Sequence, residues 1–567
     1  MVNPIKTFFV GITFSTHTPF MLESFLFSRL DVAFAQFFSA LTNFSNDEKK
    51  SLETLLAHLS FTQYQGNTCL KLTEPQRQLL LISDLTTSPN ENSTTCPFHI
   101  DEHNHFYLRR YWDYEQRLIA KLRAMQKTDL PISNLEKLLD SFFETSIESE
   151  KNDQREAAKT AVNQAFTIIT GGPGTGKTTT IVKILALLQT LHSKKPLHIA
   201  LAAPTGKAAM RLQESITNSK ASLKLEQIIN DVLPETVTTI HRLLGAKPPS
   251  PYFRYNEKNL LPYDLIVIDE ASMIDLAMMS KLVEAIKPAA RLILLGDKEQ
   301  LASVESGTVL ADLTQALPQN TIELKKTYRF KDEIKAFADA INQQNAKLAW
   351  TMTQQKNAVI EQLGDDYLLY LADQHSDYFH GIKNGKTFSE IYDAFNRFQI
   401  LCAHREGKNS VSDLNYRLEK VLRDRKLINL STTWYVGRPV MVTQNNAALQ
   451  LYNGDIGLCL PDENGDVKVF FPRPDDKKQG YSPARLPNCE TVFAMTIHKS
   501  QGSEFEEVCV CLPEKMQTIL TKELLYTAIT RAKERIKLVT TETIFTATLE
   551  ANVARVTGLV EQFKIAL

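Results

Sequence analysis

The stretch Gly171-Gly-Pro-Gly-Thr-Gly-Lys-Thr178 follows the apolar run Phe166–Thr170 and is predicted to open a helix at Lys177. Glycines in such a turn let successive backbone N–H groups point inward, and the helix N-terminus adds a positive dipole end. Lys177 can then reach the β- and γ-phosphates of ATP, and the Thr178 hydroxyl can hold Mg²⁺. The predicted nucleotide-binding residues are Gly171, Gly172, Pro173, Gly174, Thr175, Gly176, Lys177, Thr178 and Thr179.

A second element, Leu265-Ile-Val-Ile-Asp-Glu-Ala-Ser272, brings two carboxylates to the end of an apolar strand. Parallel sheets place ligands at the carboxyl ends of their strands. Asp269 is therefore predicted to hold Mg²⁺ together with Thr178, directly or through water. Glu270 is predicted to orient and deprotonate an attacking water, which favours hydrolysis over transfer of the phosphoryl group to another substrate.

A third strand, Leu292–Gly296, ends in Asp297 and is followed by Gln300. A glutamine in this place can sense a γ-phosphate by hydrogen bonding and report its loss to neighbouring loops. Taken singly, Gln300 is as often a surface residue. Together the three strand ends predict a site for binding and hydrolysing ATP.

The composition is that of an ordinary globular protein with 43% hydrophobic and 23% charged residues. A chain of 567 residues predicts about three or four domains. The seven cysteines form no Cys-x-x-Cys pair, so no zinc site or iron–sulfur cluster is predicted and a reducing cytosol is favoured. The chain shows no signal-peptide pattern and no apolar run long enough to span a membrane, which predicts a cytoplasmic protein.

Residues 1–110 are predicted to form a separate, largely helical domain. Its aromatic residues follow a helical spacing that fits either core packing or a surface for docking another protein. Ser45-Asn-Asp-Glu48 is a capping box that opens a second helix. The residues with this spacing are Phe34, Phe37, Phe38, Leu41 and Phe44.

Two α/β regions follow, predicted at 111–330 and 331–567. In the first, short apolar strands alternate with helices, the pattern of a parallel sheet with crossover helices. In the second, residues 430–490 change to short strand-like pieces rich in turns, which predicts a small inserted β-barrel. The strands predicted in the first region are Phe166–Thr170, Leu197–Ala203, Leu265–Asp269 and Arg291–Gly296.

The order of the motifs resembles that of superfamily 1 helicases and, more closely, of the RecD family, the alpha subunits of bacterial exonuclease V. The resemblance covers nearly the whole chain. Besides the elements above, it rests on Leu201-Ala-Ala-Pro-Thr-Gly-Lys-Ala-Ala209, Ile240-His-Arg-Leu-Leu-Gly245, Thr327-Tyr-Arg329, Leu451-Tyr-Asn-Gly-Asp-Ile-Gly457, Met495-Thr-Ile-His-Lys-Ser-Gln-Gly-Ser-Glu-Phe505 and Tyr526-Thr-Ala-Ile-Thr-Arg531.

This resemblance implies two RecA-like P-loop motor domains with parallel sheets, a helical N-terminal domain and an SH3-like β-barrel in the second motor domain. It implies an ATP-dependent DNA helicase that moves 5′ to 3′ as one motor of the RecBCD complex in recombinational double-strand-break repair. The implied partners are DNA ends and RecB-like and RecC-like subunits, which complete a heterotrimer. The sequence shows no obvious carboxylate cluster outside the ATP site, so the nuclease is assigned to another subunit.

The resemblance also implies roles for single residues. Gln154 resembles an adenine-reading glutamine, and Arg329 and Arg531 resemble arginine fingers that stabilise charge during phosphoryl transfer. Residues 246–262 occupy the place of a pin that splits the duplex, although a plain surface loop fits them nearly as well. The residues that match DNA-binding motifs are Pro204, Thr205, Lys207, His241, Thr496, His498 and Lys499.

Three rival functions remain open. A stand-alone helicase would be active as a monomer, whereas the aromatic N-terminal region favours a docked subunit. An ATPase that only regulates a partner would not need all of Gln300, Arg329 and Arg531. A nuclease within this chain would need a second set of metal-binding carboxylates.

Overall fold

The computed structural model describes residues 27–87, 96–126, 135–143, 152–223, 227–327, 331–355, 359–446, 448–473, 478–551 and 555–564. The predicted arginine finger Arg329 lies outside these residues. The chain forms two compact units, one comprising the residues up to Trp112 together with Val556–Gly558 and the other the remainder. Within the described ranges, no helix has the length and apolar character needed to cross a bilayer.

The first unit combines helices with a four-stranded sheet in the order β1-β4-β3-β2. The prediction of a largely helical domain did not include these strands, which are only two to four residues long. The capping box of Ser45 and Glu48 is confirmed. The elements are α1 (Arg29–Ser39), α2 (Asn46–Tyr64), β1 (Cys69–Lys71), α3 (Glu74–Leu81), β2 (Thr86–Thr87), β3 (Phe98–Ile100) and β4 (His105–Leu108).

The aromatic residues of α1 divide between core and surface. Phe34 and Phe38 pack edge-on against Phe98, which is fully buried. Phe37 and Leu41 are 62% and 60% exposed. The helical spacing therefore serves both the core of this unit and an apolar strip on its surface.

The second unit begins with a six-stranded, wholly parallel sheet in the order β10-β5-β9-β8-β6-β7. We call residues 152–327 the first lobe. Its elements, with the two helices that precede it, are α4 (Arg109–Gln126), α5 (Leu135–Phe142), α6 (Asp153–Asn163), β5 (Phe166–Thr170), α7 (Lys177–Leu191), β6 (Ile199–Ala203), α8 (Gly206–Ser222), α9 (Gln227–Val232), β7 (Val237–Thr239), α10 (Ile240–Leu243), β8 (Leu265–Ile268), α11 (Leu276–Glu284), β9 (Arg291–Gly296), α12 (Val309–Ala316) and β10 (Thr321–Glu323).

The order of this sheet creates the site. The strands β5, β6, β8 and β9 are buried along their whole length, as expected of a parallel sheet covered on both faces. The neighbours β5 and β9 lie in register from Phe166 opposite Leu292 to Thr170 opposite Gly296. Because all these strands point the same way, the residues that follow β5, β8 and β9 meet at one edge.

The second lobe, residues 331–551, contains a five-stranded parallel sheet in the order β11-β20-β19-β12-β18. Two parallel α/β sheets of this kind fit RecA-like motor domains. Its elements, with the final helix, are α13 (Asp332–Asn342), α14 (Ala346–Gln354), β11 (Ile360–Gln362), α15 (Tyr367–Asp373), α16 (Ser376–Lys383), α17 (Phe388–Asn396), β12 (Phe398–Cys402), α18 (Val411–Asp424), β13 (Pro439–Val442), β14 (Ile456–Pro461), β15 (Val467–Pro472), β16 (Lys478–Tyr481), β17 (Cys489–Thr491), β18 (Ala494–Thr496), α19 (Ile497–Ser500), β19 (Phe505–Cys511), α20 (Lys522–Ile529), β20 (Ala532–Val539), α21 (Glu542–Glu550) and α22 (Leu559–Lys564).

Strands β13 to β17 form a separate antiparallel sheet in the order β16-β15-β14-β13-β17. Its small core contains Val440, Val442, Val469 and Phe471. The edge strands β16 and β17 lie at opposite ends of this order. The SH3-like barrel therefore stays a prediction, placed on an antiparallel sheet.

Candidate active site

The glycine-rich loop has the backbone that its sequence requires. Gly174 and Gly176 have φ angles of 77° and 82°, in the left-handed region that favours glycine. Helix α7 begins at Lys177, as predicted. The Lys177 Nζ donates hydrogen bonds to the carbonyl oxygens of Gly171 and Gly172, at 2.6 and 3.0 Å. The ammonium group thus lies against the loop into which phosphates are predicted to bind.

The two predicted acids follow β8 directly. The Glu270 backbone adopts a left-handed φ of 52°, and its N–H donates to Asp269 Oδ1 at 2.9 Å. Burial and, to a smaller extent, the charge of Glu270 raise the pKa of Asp269 to about 7, against the opposing charge of Lys177. A carboxyl held in this way gains most from a nearby cation, because a cation favours its charged form.

A cavity of about 630 Å³ brings residues of both lobes together. Arg531 of the second lobe lines it opposite the acids and the lysine of the first lobe. Gln154 does not line it, although the residue is half-buried at the start of α6. The predicted site residues in the lining are Pro173, Gly174, Gly176, Lys177, Thr178, Thr179, Asp269, Glu270, Gln300 and Arg531.

Arg531 is only 3% exposed and is held by backbone carbonyl oxygens. Its Nε donates to Thr527 O at 3.1 Å, and its Nη1 donates to Ser503 O at 3.3 Å. Burial lowers the pKa of Arg531, while the charges of Glu270 and Asp297 favour its charged form. The guanidinium is therefore fixed in the cavity wall at the start of β20.

Three residues of the site were missed by the sequence predictions. Asp297 is buried at the end of β9, where its position in the Gly-Asp-x-x-Gln pattern could have indicated it. Tyr526 donates its hydroxyl to Asp297 Oδ2 at 3.2 Å. Arg211 lines the cavity from α8, and burial and the charge of Arg531 lower its pKa to about 10. The sequence offered no signal for Arg211 beyond its place four residues after Lys207.

The predicted DNA-binding motifs begin at two helix N-termini. Thr205 Oγ1 accepts the Ala208 N–H at 3.2 Å at the start of α8, and Thr496 Oγ1 accepts the Lys499 N–H at 3.4 Å at the start of α19. Both threonines are N-caps. Helix α8 belongs to the first lobe and α19 to the second, so each lobe contributes one such motif.

These motifs meet at a turn of the antiparallel sheet. The Tyr452 ring lies against Gly206, 3.7 Å from the position of a Cβ built there, and Asn453 Oδ1 accepts a hydrogen bond from Lys499 Nζ. Burial and, to a smaller extent, the charges of Arg211 and Lys499 lower the pKa of Lys207 to about 7, against the opposing charge of Asp455. We call Lys207, Lys499, Asn453 and Asp455 the lysine cluster.

Two further predicted DNA contacts are histidines. His241 is exposed on α10 and packs edge-on against Phe253 at 5.8 Å. Burial lowers the pKa of His498.

The predicted pin has Tyr252, 77% exposed, at its surface. Its strand character is limited to single bridges, Ala246 to Phe253 and Asn256 to Asn259. A pin remains a prediction.

Family models match three parts of the chain. Residues 23–105 match the N-terminal domain of the RecBCD enzyme subunit RecD, residues 154–306 an AAA domain, and residues 491–539 the UvrD-like helicase C-terminal domain. The AAA match contains the phosphate loop, both acids and Gln300. The UvrD-like match contains α19 and Arg531.

Similar proteins carry related names. The RecBCD enzyme subunit RecD of Mycolicibacterium smegmatis is 39% identical over 476 residues, which cover 81% of this chain and 82% of that protein. The ATP-dependent RecD2 DNA helicase of Deinococcus radiodurans is 32% identical over 372 residues, covering 65% of this chain and 46% of that one. A solved structure of Pif1 helicase from Bacteroides, in complex with ADP-AlF3 and ssDNA, is 18% identical, covers 74% of this chain and 97% of that one, and has a TM-score of 0.38. With 39% identity across four-fifths of both chains, this protein belongs to the family of RecBCD enzyme subunit RecD, which are superfamily 1 DNA helicases.

Proposed function

We propose that this chain is an ATP-driven DNA helicase that moves 5′ to 3′ as a motor subunit of a RecBCD-type complex. The observation that carries the proposal is the shared cavity, which joins Lys177, Asp269 and Glu270 of the first lobe to Arg531 of the second. Hydrolysis in a cleft between two lobes can move them relative to each other. Family membership supports DNA as the substrate, RecB-like and RecC-like subunits as partners, and action on DNA ends in the cytoplasm.

Each residue of the cavity has a proposed role that fits its surroundings. The backbone of Gly171 to Gly176 cradles the phosphates, and Lys177 turns from the loop carbonyls to the β- and γ-phosphates. Glu270 takes the proton of the attacking water, and Arg531 stabilises the charge that develops on the γ-phosphate. Gln154 is proposed to read adenine and Arg329 to act as a second arginine finger.

The donor set fits Mg²⁺, which prefers oxygen ligands. Thr178 supplies a hydroxyl and Asp269 a carboxyl group whose ionised form a cation would favour. When bound, Mg²⁺ would neutralise charge on the phosphates. Among the described residues, no group of three or more His, Cys, Asp or Glu side chains is arranged to hold a metal ion.

The lysine cluster is proposed to hold single-stranded DNA through its phosphates. Burial and the charges of Arg211 and Lys499 lower the pKa of Lys207, and the Asp455 carboxylate opposes them, so an anion such as a phosphate would favour the charged form of this lysine. Phosphate contacts of this kind give affinity without sequence readout. Because α8 also carries Arg211 in the ATP cavity, movement at one site can reach the other along one helix.

The test is strand displacement on duplexes with a 5′ or a 3′ single-stranded tail. We expect unwinding of the 5′-tailed duplex alone, and its loss in Lys177→Gln together with a fall in ATP hydrolysis of at least about a hundredfold. Equal melting temperatures for the two proteins would show that the variant is folded. Hydrolysis that persists in Lys177→Gln would contradict the assigned site, and unwinding of the 3′-tailed duplex would contradict the polarity.

A further inference from the structure

Asp297 is a buried carboxylate to which the proposed mechanism gives no role. Its Oδ2 accepts two hydrogen bonds, from Gln300 Nε2 at 3.0 Å and from the Tyr526 hydroxyl at 3.2 Å. Its Oδ1 accepts the Glu299 N–H at 3.0 Å. Gln300 lies in the same loop, whereas Tyr526 lies on α20 of the second lobe. One oxygen atom therefore joins the proposed γ-phosphate sensor to the opposite lobe.

This contact fixes the direction of the Gln300 amide. A carboxylate only accepts hydrogen bonds, so the amide must present its NH₂ group to Asp297. The amide oxygen Oε1 of Gln300 is then buried without a hydrogen-bond partner among the described residues. Among the described residues, the bond to Asp297 is thus the one hydrogen bond that holds the amide. The γ-phosphate offers only acceptor oxygens, so it would take the same NH₂ group and draw it away from Asp297. Gln300 also lines the cavity in which the γ-phosphate is proposed to bind.

Tyr526 also touches the phosphate loop. A Cβ built on Gly172 would lie 3.1 Å from the Tyr526 hydroxyl oxygen. The hydroxyl therefore lies next to Asp297, against the loop in which phosphate is proposed to bind. Tyr526 is 5% exposed, so water offers its hydroxyl little alternative to these partners.

The first-lobe segment that contains Asp297 and Gln300 contacts the second lobe at further points, through Glu299 and Leu301. The Leu301 N–H donates to Thr527 Oγ1 at 2.9 Å, and Gln501 Nε2 donates to Leu301 O at 3.1 Å. Lys522 forms an ion pair with Glu299 at 3.0 Å. A change at Gln300 thus occurs within a segment that the second lobe grips on both sides.

We propose that Asp297 and Tyr526 are positioning residues that couple recognition of the γ-phosphate to the contact between the lobes. Gln300 and Tyr526 share Asp297 Oδ2, and when Gln300 turns to the γ-phosphate, Tyr526 is left as the side-chain donor to that oxygen. A carboxylate oxygen with one donor fewer binds the remaining donor more strongly. The lobes are then held together differently with a triphosphate than with a diphosphate. This inference rests on the proposed function, since it requires ATP in the cavity and DNA on both lobes.

The experiment measures the dissociation constant for single-stranded oligothymidylate by fluorescence anisotropy. The full chain is saturated either with a non-hydrolysable ATP analogue or with ADP. For the wild type we expect the two constants to differ by about threefold or more, a modest allosteric coupling. In Tyr526→Phe, which removes the hydroxyl alone, we expect them to agree within about 1.5-fold, because the coupling contact is lost.

Tyr435→Phe is the matched control. Tyr435 is also 5% exposed, and its hydroxyl donates to a carboxylate oxygen, Glu419 Oε1, at 2.6 Å within the second lobe. The same chemical change there should leave the ratio of the two constants at the wild-type value. Asp297→Asn should lower the ratio as Tyr526→Phe does, and the double variant should show no further loss.

The inference is overturned if the wild type binds oligothymidylate equally well with the ATP analogue and with ADP, or if Tyr526→Phe keeps the wild-type ratio of the two dissociation constants. It is also overturned if Tyr435→Phe lowers that ratio as much as Tyr526→Phe does, or if the effects of Tyr526→Phe and Asp297→Asn add in the double variant. Steady-state ATP hydrolysis separates this result from the proposed function. If DNA stimulates ATP hydrolysis but Tyr526→Phe keeps the wild-type ratio, only the coupling inference is contradicted. If the wild-type protein does not hydrolyse ATP in the presence of DNA, both the inference and the proposed function are contradicted.

Discussion

The ATP cavity and the lysine cluster each contain one ionisable group whose pKa is displaced to about 7, from opposite directions. Burial raises the pKa of Asp269 from an ordinary 3.8 and lowers the pKa of Lys207 from an ordinary 10.5. Each group also lies beside a charge of its own sign, Glu270 in one case and Arg211 in the other. The two regions are therefore complementary to ligands of opposite charge.

The difference between them indicates what each region binds. An acid in this state is stabilised by a cation, and a lysine in this state by an anion such as a phosphate. The two regions are linked by α8, which bears Lys207 near its start and Arg211 in the cavity wall. Variants that alter one region alone should thus change nucleotide chemistry or DNA affinity separately.

The largest effect confined to one region, a loss of ATP hydrolysis without a loss of DNA affinity, is expected from Arg531→Lys. Lysine keeps the positive charge, but its single ammonium group cannot donate hydrogen bonds to two backbone carbonyl oxygens and to the γ-phosphate at the same time, as the planar guanidinium can. We expect the rate of ATP hydrolysis to fall by about 10³-fold or more, with the affinity for ATP analogues and DNA nearly unchanged. Steady-state kinetics and nucleotide titration measure this.

Arg535→Lys is the control for that change. Arg535 lies on β20, which begins directly after Arg531, and pairs with Glu507. It does not line the cavity. It should keep wild-type hydrolysis. An equal loss in both variants would mean that β20 has been disturbed and that Arg531 has no special role.

Glu270→Gln should also slow ATP hydrolysis, but by less than Arg531→Lys. The amide cannot take a proton from the attacking water, so we expect hydrolysis to slow by about 10²- to 10⁴-fold, the usual contribution of a general base. Binding of ATP should persist, because Lys177 and the loop are intact. Single-turnover rates measure the first effect, and equilibrium titration the second. Weakened ATP binding at wild-type hydrolysis rates would contradict the role of Glu270 as a base.

The strands and the helix that carry the first-lobe motifs of the proposed ATP site could be predicted from sequence, because each motif is a short, continuous stretch with local geometry. The limits of β5 and β9 and the start of α7 were predicted as the structure has them. The apolar runs of buried parallel strands and the glycine turn leave little choice there. The predicted strand at 197–203 begins two residues earlier than β6, and β7 and β10 were not predicted, since three-residue strands carry too short a pattern.

The contacts between lobes could not be predicted in this way. Asp297 and Tyr526 are separated by more than two hundred residues, and no local pattern pairs them. The lysine cluster depends on a turn of an inserted sheet reaching Lys499 and Gly206. In the N-terminal unit, two- to four-residue strands escaped notice beside long amphipathic helices. Long-range packing decided each case.

Lys207→Gln should alter the DNA side alone. A phosphate favours the protonated lysine, so wild-type DNA affinity should fall as pH rises between about 6 and 8, by at most about tenfold per pH unit. The variant should lose this dependence, and its salt slope should shrink by about one. Anisotropy titrations across pH and salt measure both.

The control for Lys207→Gln is Lys468→Gln, which removes a lysine paired with Asp462 at 2.7 Å in the antiparallel sheet. It should keep the wild-type pH dependence and salt slope. A wild-type protein whose DNA affinity is flat across this pH range would show that Lys207 does not meet phosphate.

The smallest effect concerns folding stability and sharpens the contrast on the acid side. Because the pKa of Asp269 is higher in the folded than in the unfolded protein, its stabilising contribution is complete below about pH 4 and is lost as pH rises through about 7. Asp269→Asn removes this loss, so without nucleotide the variant should be more stable than wild type near pH 8, by on the order of 1 kcal/mol, and less so near pH 5.5. Thermal unfolding measures the difference.

Adding Mg²⁺ and an ATP analogue should make the wild type the more stable of the two proteins, since only the carboxylate gains from the cation. If the variant is less stable than wild type at both pH values without nucleotide, Asp269 carries no unmatched charge, and the two regions are not complementary in the way that their pKa values indicate.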